Sequence, residues 1–130
     1  MNSQTFIAAL HQLEETGDEG PIVALYGDGA EVWNVRLAQP MVGRDGARRF
    51  WQEYRDAFDD VRSEFRAIVE NDGKAALEWE SQGTLKADGR PFRYQGVSIV
   101  EWSADAISRF AAYFNPESLT ASRPAMTAPA

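Results

Sequence analysis

Between Lys74 and Asn115 the side chains follow an order that only extended chain can use, and that stretch constrains everything around it. Leu77, Trp79, Ser81, Gly83 and Leu85 are apolar or small, with Glu78, Glu80, Gln82 and Thr84 between them, the period of two expected of a half-buried strand. Lys86 to Pro91 supplies a turn, in which Asp88-Gly89 adopts positive φ at little cost. Phe92 to Trp102 alternates again, Ser103-Ala104-Asp105 turns, and Ala106 to Asn115 forms a further run. The pattern predicts a three-strand antiparallel meander.

The remaining elements fall into place against it. Ser3 is positioned to cap a first helix whose apolar residues Phe6, Ile7, Leu10 and Leu13 recur at helical spacing. A short second helix is expected from Pro21 to Tyr26 with Asp18 as its cap, then a strand from Ala30 to Val35 and an irregular crossover from Arg36 to Gly43. A third helix opens near Asp45 and presents Ala47, Phe50, Trp51, Tyr54 and Phe58 on one face. Val61 to Val69 alternates with charged residues as another strand, and Asn71-Asp72-Gly73 turns it into the meander. The resulting class is α+β: a curved antiparallel sheet wrapped on one face by three helices, over residues 1–119. Residues 120–130 are too poor in apolar side chains to fold and are expected to be a disordered tail.

Charge and cysteine content narrow the function. Twenty acidic against thirteen basic residues give a net charge of −7, which opposes binding to nucleic acid and to anionic membranes. Arg44, Arg48, Arg49 and Arg55 alternate with Asp45, Glu53 and Asp56, the pattern of a solvated helix face. With no cysteine and one histidine, thiolate chemistry, disulfides and a metal site are not expected, and no cofactor is implied. Neither an export signal nor an 18-residue apolar span is seen, so the expected location is cytoplasmic.

Strand parity predicts an interior. If the aromatic helix covers that face, Phe65, Ala67, Leu77, Trp79, Ser81, Tyr94, Ser98, Val100, Trp102, Phe110, Ala112 and Phe114 point inward, joined by Val32 and Asn34. Trp51, Tyr54 and Phe58 come down from the helix, and Tyr26 closes the narrow end. The strands contribute no carboxylate, lysine or histidine, so polar function falls to Asn34, Ser81, Ser98, Tyr26, Tyr54 and Tyr94, with Arg36 near the mouth. Asn34, Ser98 and Tyr26 are the candidates for chemistry; Tyr26, Asn34, Trp51, Tyr54, Trp79, Ser81, Tyr94, Ser98, Phe110 and Phe114 are the candidates for binding an apolar small molecule. His11, beside Leu10, is expected in solvent. On the opposite face Val97, Ile99, Ala111 and Tyr113 form an apolar patch among charges, the mark of a homodimer through the outer sheet face.

The order of elements, with Gly17-Asp18, Leu25-Tyr26 leading into Ala30-Glu31-Val32, Val42-Gly43-Arg44, Asn71-Asp72-Gly73, Gly83-Thr84, and Ile107 through Tyr113-Phe114, resembles the nuclear transport factor 2-like superfamily. Within it the chain is similar to the SnoaL-like group and its relatives, the ketosteroid isomerases and limonene epoxide hydrolases. The resemblance implies a cone that holds a small apolar molecule, commonly in a dimer. It also places the isomerase base on Asn34, the oxyanion-binding tyrosine on Leu10, the protonated acid on Ser98 and the epoxide hydrolase aspartate on Ala112. None of these can perform the corresponding role. Two readings follow: an isomerase, cyclase or hydrolase of unassigned substrate without the known carboxylates, or a non-catalytic carrier, sensor or dimerisation module.

Overall fold

The computed structural model describes residues 1–119; the expected disordered tail lies outside the described residues. Helix α1 spans Ser3–Thr16, α2 Gly20–Val23 and α3 Gly43–Asp56. The strands are β1 Tyr26–Asn34, β2 Met41–Val42, β3 Phe58–Asn71, β4 Lys74–Leu85, β5 Pro91–Ser103 and β6 Ala106–Phe114, followed by a 3-10 turn at Pro116–Leu119. They form one six-stranded sheet in the order β2-β1-β6-β5-β4-β3. The α+β class and the meander β4-β5-β6 are as the sequence predicts. β1 lies beside β6 in parallel, while the other neighbours run antiparallel.

Local chemistry sets the boundaries. Asn2, not Ser3, caps α1, because its Oδ1 accepts from Thr5 N at 2.9 Å while the buried Ser3 hydroxyl donates to Glu70. Helix α2 is one turn only, and Asp18 holds Gly20 N at 2.9 Å just before it. Strand β1 begins earlier than Ala30, at Tyr26, since the parallel pairing with Ile107 captures the residues expected to end α2. The β3–β4 hairpin turns on Asp72 and Gly73, both at positive φ (47° and 78°), the geometry that this pair favours.

A bulge between Phe65 and Ala67 resets the alternation in β3. Phe65 pairs with Trp79, but Ala67 pairs with Glu78 and Ile68 with Leu77. Ala67, expected inside, is therefore exposed.

Strand β3 is an edge strand, and α1 covers its open backbone at one residue. Ser63 N donates to Glu14 Oε1 at 2.9 Å, and His11 Nε2 donates to Ser63 O at 3.0 Å. His11 is thus half-buried and tied to the sheet, not free in solvent as expected.

The core lies between this sheet and the helices. Phe6, Leu13, Ile22, Val32, Leu77, Val100 and Ile107 are buried at its centre, with α3 contributing Ala47, Phe50 and Trp51. No helix among the described residues is long and apolar enough to cross a membrane.

Candidate functional site

The core does not close completely. A cavity of about 240 Å³ remains between α1, α3 and the sheet, lined by Phe6, Leu10, Phe50, Trp51, Tyr54, Phe65, Trp79, Tyr94, Phe110, Ala112 and Phe114. Its rings pack edge to face: Trp51 against Phe110 at 5.2 Å, Trp79 against Tyr94 at 5.1 Å and Tyr94 against Phe114 at 5.3 Å. Exposed Arg36 and Glu53 lie at its margin with Leu37 and Leu119.

Gly96 makes room for one wall. A Cβ there would meet Tyr113 O and two atoms of the Trp79 ring at 2.8 and 2.9 Å, so the indole lies against bare backbone. Ser98 Oγ then accepts from Trp79 Nε1 at 2.9 Å and fixes the ring plane.

Asn34, Trp51, Tyr54, Trp79, Ser81, Tyr94, Ser98, Phe110 and Phe114, named from the sequence, all border this cavity. Tyr26 does not. It is fully buried behind Trp51, whose Nε1 donates to its hydroxyl at 3.1 Å, and burial raises its phenol well above the ordinary range. Asn34 Oδ1 accepts from Arg36 N at 2.8 Å, closing the end of β1 in an Asx turn.

The strands bring no carboxylate to the cavity, but α1 brings one to its wall. Glu14, half-buried, stands behind the lining: its Oε2 accepts from Tyr54 Oη at 2.7 Å and from Ser63 Oγ at 2.6 Å, and Ser63 Oγ lies 2.6 Å from Ser81 Oγ. Tyr54, Ser63 and Ser81 each border the cavity. Burial, and then the Glu14 charge, push the Tyr54 phenol well above its usual range, so it stays a proton donor to that carboxylate. The same two causes raise Tyr94. Glu14 follows Leu10 by four residues, the spacing that puts it over the same inner face of α1; a period-two reading of the strands has no means of finding it.

The arginines of α3 meet acids instead of an open basic surface. Arg48 and Arg55 bind Glu19 at 2.8 and 2.9 Å, Arg44 lies 3.4 Å from Asp28, and Arg49 lies 3.7 Å from Glu53. Among the described residues no group of three or more His, Asp or Glu side chains is placed to hold a metal ion.

A curved sheet closed on one side by three helices around such a hollow defines an NTF2-like α+β domain. The chain belongs to the SnoaL-like domain family, whose model matches residues 5–110. Among solved structures, an NTF2-like protein from Anabaena variabilis ATCC 29413 superposes with a TM-score of 0.79 at 15% identity, over 87% of this chain and 86% of that one. A protein of ketosteroid isomerase-like fold from Catenulispora acidiphila DSM 44928, solved in complex with trimethylamine, gives 0.78 at 13% identity over 89% of each chain. TerC, co-crystallised with polyporic acid, gives 0.73 at 13% identity over 88% and 91%. A search of curated protein sequences found no match.

Proposed function

We propose that this chain binds a small, largely apolar molecule of one or two rings in the cavity between α1, α3 and the sheet. The observation that carries this reading is the hollow itself: about 240 Å³ walled mainly by aromatic rings, with the Tyr54, Ser63 and Ser81 hydroxyls gathered beside Glu14. That volume exceeds the roughly 150 Å³ apolar void that admits one benzene. It falls short of the ~300 Å³ at which pockets for drug-sized ligands begin. The relatives solved with trimethylamine and with polyporic acid are in keeping with small guests in this fold.

Thermal unfolding in the presence of a panel of substituted benzenes and bicyclic aromatics tests the reading. A binder at a hundred times its Kd stabilises the fold by about 2.7 kcal/mol. Ala112→Leu, which fills the hollow, abolishes the shift. If no compound stabilises the wild-type chain, the cavity is not a binding site.

A catalytic form of this reading, an isomerase, cyclase or hydrolase, is favoured by Glu14, which supplies the base that the strands lack. A proton from a bound molecule would pass to Tyr54 Oη as the Tyr54 proton passes to Glu14. The alternative is a carrier or sensor in which the same groups only orient the guest, and turnover of a compound that binds separates the two. The outer sheet face, where Val97 and Tyr113 are 37% and 44% exposed, is assigned to a second copy of the chain. A cytoplasmic setting, in keeping with a cysteine-free sequence, completes the reading and is tested by cell fractionation.

A further inference from the structure

The polarity of the hydroxyl cluster follows from counting protons. Glu14 Oε1 receives the Ser63 N–H, a donor that cannot reverse, and Oε2 receives Tyr54 and Ser63. A carboxylate has lone pairs only, so both hydroxyl protons point toward it. With its single proton committed to Glu14, Ser63 Oγ can meet Ser81 Oγ at 2.6 Å only as acceptor, and Ser81 must donate. Every hydroxyl of the cluster is thereby turned away from the hollow, and what Tyr54 and Ser81 have left to offer a guest is oxygen lone pairs.

We propose that the wall formed by Tyr54, Ser63 and Ser81 is a hydrogen-bond acceptor, and that the cavity takes neutral apolar molecules carrying a hydroxyl or N–H group on that side. This rests on the binding reading above and names its ligand class. A carbonyl oxygen or an ether, which has no proton, finds no partner on this wall, and a carboxylate or enolate is further opposed by the Glu14 charge behind it. The donors of the cavity lie on other strands: on β5 Ser98 accepts from Trp79 Nε1 and keeps its own proton and Tyr94 carries its hydroxyl, and on β1 the Asn34 amide, its oxygen taken by Arg36 N, offers N–H. The hollow therefore has two chemically distinct sides, and a guest with one donor group has one preferred orientation.

Isothermal titration with para-ethylphenol and with its methyl ether, para-ethylanisole, tests this on the purified chain. The two share one apolar frame, and the ether carries a methyl group in place of the hydroxyl proton, a change of size that the variants below leave the same while they alter the wall. The phenol is expected to bind about tenfold more tightly, the size of one satisfied buried hydrogen bond. Glu14→Gln introduces an amide donor, frees one hydroxyl to turn inward, and should reduce the preference to about threefold or less. Should that variant not fold, Tyr54→Phe removes one acceptor while keeping the ring and should reduce the preference likewise. Equal affinity for phenol and ether, or a preference for the ether, overturns the proposal while leaving the cavity as a binding site. A preference that neither variant changes assigns it to other residues and also overturns it. Binding of neither probe removes this proposal, and failure of the whole aromatic panel removes the binding reading.

Discussion

Tyr54 Oη donates to Glu14 Oε2 across 2.7 Å, joining the aromatic face of α3 to a carboxylate that α1 carries past the edge of β3. That pair links the helices to each other and the cavity wall to the only acid behind its hydroxyls. It makes Glu14 the side chain whose loss should be felt in stability and, on the proposed reading, in binding.

Replacing Glu14 by alanine leaves the Ser63 N–H and the Ser63 and Tyr54 hydroxyls without their acceptor. The expected cost is about 2–4 kcal/mol, most of it the penalty for unsatisfied buried donors. Urea denaturation checks it, and a loss under about 0.5 kcal/mol would show that solvent replaces the carboxylate freely.

Tyr26, Tyr54 and Tyr94 all have phenols raised by burial. Below about pH 10 both folded and unfolded chains keep these protons. Above it only the unfolded chain releases them, so stability falls as pH rises, by up to about 4 kcal/mol per pH unit while all three stay neutral in the fold. Denaturation midpoints measured from pH 8 to 11 should decline steeply at the alkaline end, less so for Tyr26→Phe. A flat profile contradicts the burial of these rings.

Gly96→Ala sets a methyl group against Tyr113 O and the Trp79 indole. The ring must leave its place against Ser98, with a loss of roughly 2 kcal/mol or more. Binding of aromatic probes should fall with it. A variant of wild-type stability would mean that β5 and β6 separate easily at this point.

Asn34→Asp introduces a carboxylate where the resemblance to ketosteroid isomerases places their base, yet steroid isomerisation should remain absent or weak. Asn34 Oδ1 is already occupied by Arg36 N, and Leu10 offers no donor to an enolate. Vigorous turnover of a ketosteroid by either protein would refute the proposed size and polarity of the cavity.

The apolar patch on the outer face includes the Trp33–Tyr113 ring pair, with centroids 5.4 Å apart. Tyr113→Glu should convert a dimer to a monomer in light scattering. A wild-type monomer at high concentration would dismiss the interface, which a stable pair normally builds from about 800 Å² per partner.

The fold was legible because its strongest signals are local. The alternation from Leu77 to Leu85 and the Asp72-Gly73 turn each specify geometry within a few residues. The site was legible only in part. Parity reached the rings and serines of the strands, but failed past the Phe65 bulge, where one extra residue turned Ala67 outward without any mark in composition. Glu14 was missed for a different reason. Its partners lie 40 and 49 residues away, and a glutamate on a helix reads as solvated until the strand that it covers is known. Tyr26 was misplaced because a parallel partner, set by distant chain, drew it into β1.

The indole nitrogens of Trp51 and Trp79 each have a hydroxyl inside the fold, on Tyr26 and Ser98. Both rings are consequently held in one attitude before anything arrives. A guest would therefore meet fixed panels that lose no rotational freedom on contact, and discrimination between close analogues on that side of the chamber should come from shape and from the reach of the Ser98 hydroxyl.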